Sequence, residues 1–521
     1  MSSIAVFISA AEAAALIPDH ATVGVAGMGS AGFPEEVAQE IRARYLDTGH
    51  PCDLTVKQGC HLGDGYERGV TRFGVEGLVS QWDAAHVGIS LEMNQLVREN
   101  KMRCHCLPQG VAVNLWREIA AGRPGLLTKV GLGTFVDPRN GGGKMNDVTD
   151  TEIVERVEFK GEEYLFYPSF PLHVALLRGT TADEDGNITF EHDGLINEGL
   201  SVAAAAHNSG GIVIVQVERV TLRGTIKPMD VRIPGILVDY VVQATKQEAC
   251  WQTQGTYYDP SFSGELRKPL DQIPPLPLDE TKVIARRCAK SLKRGGVTNL
   301  GYGMSAKVAS IAAEEGCSDA VIFTAESGPI GGVPAPPPHF GNAYNASALI
   351  EHNAMFDIID GGGVDVTCLG MAQADEEGNI NVSKVAGHPV GPGGFVDITQ
   401  STKNIIFCGT FMYKAKLQVA DGQLRILEQG RSRKFVKHVE HVTFSGRYAK
   451  PDQKILYVTE RCVFLLRNGR MTLVEIAPGV DLERDILANM DFRPDIAPDL
   501  RQMDPGFFRE HWGGMKAALG L

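Results

Sequence analysis

Short apolar runs alternate with segments of helical period along most of this chain. Val23-Gly-Val-Ala-Gly reads as a buried strand and leads to a helix pattern from Pro34 to Tyr45. Asp319-Ala-Val-Ile-Phe-Thr is a second buried-strand candidate, and Gly211-Ile-Val-Ile-Val-Gln-Val and Asn404-Ile-Ile-Phe-Cys are β-rich runs. Such alternation predicts an α/β fold with largely parallel sheets, because parallel neighbours need a crossover that a helix supplies. In such sheets ligands sit beyond the carboxyl ends of the strands. From Asp421 to Thr459 the pattern turns more β-like, in Leu424-Arg-Ile-Leu, Phe435-Val-Lys-His-Val and Ile455-Leu-Tyr-Val-Thr. That stretch predicts some antiparallel β near the C-terminus.

The pattern also repeats. Arg178-Gly-Thr-Thr-Ala-Asp-Glu-Asp-Gly-Asn-Ile-Thr and Leu369-Gly-Met-Ala-Gln-Ala-Asp-Glu-Glu-Gly-Asn-Ile-Asn both read as strand, turn, strand. Each precedes one of the two β-rich runs. A glycine loop opens each half, at Gly27-Met-Gly29-Ser-Ala-Gly32 and at Gly301-Tyr-Gly303. Paired features in one order point to duplication. Between them, four prolines fall within residues 269 to 277. Proline lacks the backbone donor, so this reads as an extended linker. The predicted organisation is two similar open α/β domains, 1–260 and 282–521, joined by a Pro-rich linker at 261–281.

Composition narrows the function. Lys plus Arg total 50 and Asp plus Glu 63, for a formal net charge of −13 over 521 residues. That balance opposes nonspecific nucleic-acid binding, which runs on clustered cations. Glycine, 59 residues, is about 11% of the chain against roughly 7% on average, with no Gly-X-Y period. The excess serves turns or close backbone approach to a ligand. Ten dispersed cysteines suit a reducing cytoplasm rather than a disulfide framework. The apolar N-terminus has no basic residue before Arg42 and is interrupted at Glu12, so a signal peptide is not expected. No run of 18 apolar residues predicts a membrane span.

Several motifs compete. Gly27-Met-Gly29-Ser-Ala-Gly32 fits the dinucleotide fingerprint, but the acidic residue expected near position 50 is poorly placed and Pro34 follows the loop closely. A glycine loop serving another ligand, or tight packing alone, is the preferred reading. Gly141-Gly-Gly-Lys144 lacks the Ser or Thr of a P-loop. Cys104-His105-Cys106 with Cys60-His61 could be drawn as a metal site, but the spacing is weak and buried structural thiols are preferred; no metal is expected. The strongest candidate for chemistry is Ala325-Glu326-Ser327-Gly328-Pro329-Ile330-Gly331. It places a carboxylate at the end of an apolar strand, in a loop of small residues. A desolvated carboxylate there can act as a nucleophile; a capping or salt-bridged Glu is the structural alternative.

At these residues the chain resembles the class I CoA-transferases, and within them the single-chain propionate/acetate branch in which two subunits are fused. The N-terminal family frame is kept from Asp19 through Gly32-Phe33-Pro34, with departures at His20, Gly24, Ala26 and Met28. The catalytic signature Ser-Glu-Asn-Gly stands here as Ala325-Glu326-Ser327-Gly328. Further similar blocks are Leu107-Pro-Gln109-Gly110, Gly131-Leu-Gly-Thr-Phe-Val-Asp, Asn299-Leu-Gly301-Tyr-Gly303, Gly361-Gly-Gly-Val-Asp and Gly391-Pro-Gly393-Gly394-Phe-Val-Asp397.

The resemblance implies transfer of CoA between a short-chain acyl-CoA and a short-chain acid, acetate- or propionate-like. It implies ping-pong chemistry through a glutamyl-CoA thioester on Glu326. Gln109 would donate to the oxyanion, and backbone N–H groups at Gly393-Gly394 could add another donor. Gly301, Gly303, Gly393 and Gly394 would approach CoA. Gly27, Gly29 and Gly32 would line the acyl site. Coenzyme A would be a substrate, with no permanently bound cofactor, and the assembly a homodimer or homotetramer. The site is expected between the halves. An acyl-CoA hydrolase on the same fold, a non-catalytic CoA-binding protein and an NAD-dependent oxidoreductase are the alternatives.

Overall fold

The computed structural model describes residues 5–269 and 275–521. Two large sheets organise it. The first has eight strands, all paired in parallel, in the order Val6–Phe7, Tyr240–Gln243, Ile212–Thr221, Val174–Asp183, Thr22–Val25, Leu54–Gln58, Val79–Ala84 and Arg103–Cys106. All ten residues of Val174–Asp183 are buried, as expected of a strand covered on both faces.

The second sheet has ten strands. Its parallel centre runs Lys454–Val458, Asn404–Cys408, Val366–Gly370, Val297–Leu300, Ile322–Thr324. These five strands repeat the chain order and neighbour order of Tyr240–Gln243, Ile212–Thr221, Val174–Asp183, Thr22–Val25 and Leu54–Gln58. Antiparallel strands flank that centre: Cys462–Arg467 and Arg470–Ile476 on one side, Pro329–Ile330 and Ala348–Leu349 on the other. The α/β class, the parallel sheets and the antiparallel C-terminal portion are therefore as the sequence predicts.

The two turns that suggested duplication match bond for bond. Asp183 Oδ1 accepts from the Asp185 and Asn187 amides at 3.0 and 2.9 Å, and Asn187 Nδ2 returns to Asp183 Oδ2 at 3.0 Å. Asp375 accepts from Glu377 and Asn379 at 3.2 and 3.0 Å, and Asn379 Nδ2 returns at 3.0 Å. Asn187 Oδ1 then accepts from Gly235 N–H, and Asn379 Oδ1 from Gly446 N–H, both at 2.9 Å.

Two local readings change. Phe435-Val-Lys-His-Val is not a strand; Ser432–Arg433 pairs beside it, and Phe435 makes a single parallel bridge to Ala374. Phe435 is instead fully buried between Phe411 and Phe464, with ring centroids 4.9 and 5.0 Å away. Aromatic packing, not ladder formation, fixes that segment. The stretch expected to begin a linker opens with the short helix Pro260–Ser263. Lys268 N–H donates to Asn345 Oδ1, and Asn345 Nδ2 to the Lys268 carbonyl, both at 2.7 Å, which ties this stretch to the second half. Residues 270–274 of the linker lie outside the described residues. The apolar N-terminal segment forms the helix Ala10–Ala15, closed by a reciprocal Ser9–Glu12 capping box, with Ala10, Ala13 and Ala14 buried. Among the described residues no helix is long and apolar enough to cross a membrane.

Candidate active site

Loops beyond the carboxyl ends of both sheets enclose a cavity of about 840 Å³. The first half contributes Met28, Gly29, Cys60, His61 and His86; the second contributes Gly301, Glu326, Phe340 and the loop Val390–Phe395. Among the described residues lining it there is no Lys or Arg.

Glu326 follows the strand Ile322–Thr324. Its loop closes tightly, with Gly328 N–H bonded to the Ala325 carbonyl at 3.1 Å. Gly328 holds φ at +122°, a conformation only glycine takes at little cost. Ser327, which replaces the family's Asn, donates its hydroxyl to the Gly341 carbonyl and so anchors the loop. Glu326 itself is 8% exposed. Burial pushes its carboxyl up to about 7, against the lowering influence of the His352 ring and the Gln109 amide. A carboxylate in that state is ionised enough to attack and poorly solvated enough to be reactive.

Gln109 is the first residue of the helix Gln109–Ala120 and is fully buried. Its backbone N–H donates to the Gly393 carbonyl at 3.0 Å, which docks this helix start on the second half. Its side-chain Nε2 reaches His352 Nε2 at 2.9 Å and Met28 Sδ at 3.6 Å. The Gly393-Gly394 pair divides. Gly393 N–H is committed to the Ala85 carbonyl at 2.8 Å, whereas Gly394 N–H finds no acceptor among the described residues. A Cβ on Gly394 would stand 2.7 Å from Glu326 Oε2, so any side chain there would displace the carboxylate.

The remaining glycines also separate. Gly29 and Gly301 line the cavity. Gly27 and Gly32 do not; a Cβ on Gly32 would lie 3.1 Å from Gly27 Cα, so the two pack against each other behind the loop. Gly303 is outside the lining too and serves a turn, with φ at +85° and open space where its Cβ would be.

Among the cavity residues, His86 carries no motif, and Cys60 and His61 entered the sequence reading only as a weak metal candidate. Burial holds the His61 and His86 imidazoles down to about 4 and about 3, so both rings are neutral. Burial, then the Glu326 charge, raises the Cys60 thiol well above its usual range, so no thiolate competes as nucleophile. Cys104 and Cys106 are buried free thiols, and His105 is held by Asp83 at 3.0 Å and the Thr151 carbonyl at 2.9 Å. Asp397 sits under the start of the Gln109 helix. Burial and the neighbouring Asp360 push its carboxyl well above the usual range. His352 and Glu198 are buried beside Gln109, and no local sequence signal marks either.

A buried carboxylate facing a cavity between two duplicated α/β sheets, with the Gln109 amide buried outside the lining, defines an acyl-transfer site of the CoA-transferase class. The Coenzyme A transferase family model matches residues 7–244. The chain is 61% identical to caffeate CoA-transferase of Acetobacterium woodii, over 99% of this chain and all of that one. It is 40% identical to acetate CoA-transferase YdiF of Escherichia coli K12, over 99% of this chain and 96% of that one. The crystal structure of the YdiF apoenzyme from Escherichia coli O157:H7 superimposes with a TM-score of 0.93 at 38% identity, covering 98% of both chains. A second crystal structure of that enzyme, a thioester complex with CoA, matches equally, with a TM-score of 0.93. The chain belongs to the coenzyme A transferase family and is a CoA-transferase.

Proposed function

We propose that Glu326 is the nucleophile and Gln109 an oxyanion donor of a ping-pong CoA transfer. The observation that supports this most is the buried Glu326 carboxyl, raised to about 7, beside the Gln109 amide. The Glu326 carboxylate attacks the thioester carbonyl of a donor acyl-CoA. The C–S bond breaks, and thiolate leaves an acyl–glutamyl anhydride. The thiolate then attacks the Glu326 carbonyl carbon, the donor acid departs as its carboxylate, and Glu326 carries CoA as a thioester. An acceptor carboxylate reverses the sequence. Each addition places negative charge on one oxygen, and the Gln109 N–H and the uncommitted Gly394 N–H are the donors assigned to it. Gly301, Gly393 and Gly394 border the CoA end. Gly303, Gly27 and Gly32 act behind the lining, by shaping their loops. The thioester complex of the YdiF enzyme with CoA supports the covalent route.

For the acid, we infer that the cavity takes an acyl group of caffeate size, with acetate and propionate entering the same space. The supports are a cavity of about 840 Å³ walled by neutral rings and the caffeate relative at 61% identity. We assign the reaction to the cytoplasm, in keeping with ten free cysteines, without a resident cofactor, and to a homodimer or homotetramer. We also read residues 1–260 and 282–521 as its two domains.

The test is peptide mass spectrometry after mixing the enzyme with an acyl-CoA and no acceptor. A CoA adduct on the Glu326 peptide, discharged by added acid to give the new acyl-CoA, is the expected result. Steady release of CoA without an adduct would instead indicate a hydrolase and remove Glu326 from the covalent role. Competition between caffeate and acetate for the charged enzyme, with caffeate preferred, checks the acid.

A further inference from the structure

Gln109 can serve an oxyanion only if its NH₂, and not its carbonyl, faces Glu326. The two ends of a primary amide have nearly the same shape, so packing does not choose between them. Hydrogen bonding must choose. Gln109 Nε2 lies 2.9 Å from His352 Nε2. His352 Nδ1 lies 2.8 Å from Glu198 Oε2. All three side chains are at most 1% exposed, so no solvent competes for these contacts.

The chain of contacts has one consistent polarity. A carboxylate only accepts, so His352 Nδ1 carries the proton and gives it to Glu198. With that single ring proton on Nδ1, Nε2 keeps a lone pair, which accepts from Gln109 Nε2–H. That fixes the NH₂ on the His352 side. Its second hydrogen is left for Met28 Sδ, a weak acceptor at 3.6 Å, and for Glu326. If the imidazole carried its proton on Nε2, the amide would turn its oxygen inward and repel a developing oxyanion.

Glu198 is placed for this work at a cost. It is the N-cap of the helix Gly199–Asn208, yet it makes no side-chain bond to that helix. Among the described residues its Oε1 is buried without a partner, and Oε2 meets only His352. Gly59 leaves the room it needs, since a Cβ there would stand 3.0 Å from Glu198 Oε1. A buried carboxylate with no cation beyond an imidazole is expensive to keep, and folding alone gives no reason for it.

We propose that Glu198 and His352 are positioning residues that hold the Gln109 amide with its NH₂ toward Glu326. Neither touches substrate; both act through Gln109, and the inference rests on the oxyanion role given to Gln109 above. The relay crosses between the halves twice, from Glu198 to His352 and back to Gln109.

The experiment is a double-mutant cycle read on single-turnover formation of the enzyme–CoA thioester. His352→Phe keeps the ring and removes the acceptor. It is expected to slow thioester formation by about 10- to 100-fold in the parent enzyme. In the Gln109→Ala background the same change is expected to alter the rate by less than about twofold, because there is no amide left to orient. Glu198→Leu should behave as His352→Phe does. Glu198→Gln, whose carbonyl can still accept from Nδ1–H, should recover most of that loss. Equal losses in both backgrounds would overturn the relay and leave Gln109 catalytic. A Gln109→Ala enzyme as fast as the parent would overturn the relay together with the role of Gln109. Should His352→Phe not fold, the Glu198→Leu and Glu198→Gln pair in the two backgrounds carries the same comparison.

Discussion

In the second half of the molecule a carboxylate ends a strand and a glycine starts the facing helix; in the first half the two exchange places. Glu326 follows Ile322–Thr324 and faces Gly394, the N-cap of Phe395–Ser401. The corresponding strand, Leu54–Gln58, is followed by Gly59-Cys60, which face Glu198, the N-cap of Gly199–Asn208. Counterpart helices begin at Gln109 and His352, and those two residues meet at 2.9 Å. One turn deeper, Asp397 lies against Gly110, while Asn353 donates to Ser201 at 2.8 Å. The scaffold of the duplicated unit is held by backbone and turn hydrogen bonds and stays the same. The side chains at its ligand-facing corners have diverged. Two corners that could each have formed a site instead form one composite site, with the Glu326 carboxylate from one half and the Gln109 amide from the other.

The asymmetry can be broken most sharply at its carboxylate. Glu326→Gln should lose transfer by a factor on the order of 10³ or more, because the amide fills the same space but is a poor nucleophile. Steady-state transfer assays check this; retained activity would move the nucleophile elsewhere. Gln109→Ala should slow the acyl step by about 10- to 1000-fold, as for loss of an oxyanion donor, with a smaller effect on KM than on kcat.

The same Glu326→Gln enzyme should be the more stable one at alkaline pH. Burial raises the folded carboxyl to about 7 from an ordinary value of 4.5. Between those values the folded state holds the extra proton, so Glu326 costs stability as pH rises through the window. Above it the cost is on the order of 3 kcal/mol, fully present near pH 8 and absent below pH 4.5. Thermal melts of parent and variant across that range should diverge as pH rises; parallel curves would contradict the raised carboxyl.

The shared scaffold should respond symmetrically. Asp183→Ala removes two backbone bonds and one Asn contact, Asp375→Ala the same set and a longer 3.4 Å bond from Val439 N–H, and each should cost about 1–3 kcal/mol by denaturant unfolding. A large difference between them would show that the turns match in geometry but not in energy. Smallest of all, Cys60→Ala should leave the transfer rate within about threefold, since the thiol stays protonated in the first-half corner.

The sequence by itself determined much of this protein. Apolar runs at Val23, Gly211, Asp319 and Asn404 became parallel strands, because burial on both faces leaves a continuous hydrophobic signature. The two Asp-x-x-Gly-Asn turns showed the duplication, because a turn needing an acceptor, a positive φ and an amide writes those residues locally. Glu326 was legible for the same reason, as a charge where an apolar strand meets small residues. Only the tertiary structure decided the rest. His352 and Glu198 lie 154 residues apart and carry no local pattern, and their 2.8 Å contact exists only because two helix starts from different halves converge. Gly393 and Gly394 look equivalent in sequence, yet one N–H is spent on Ala85 and the other is left open. Phe435 alternates like a strand residue but was drawn into an aromatic cluster. Local chemistry is written in neighbouring residues; the orientation of a buried amide depends on what long-range packing sets beside it.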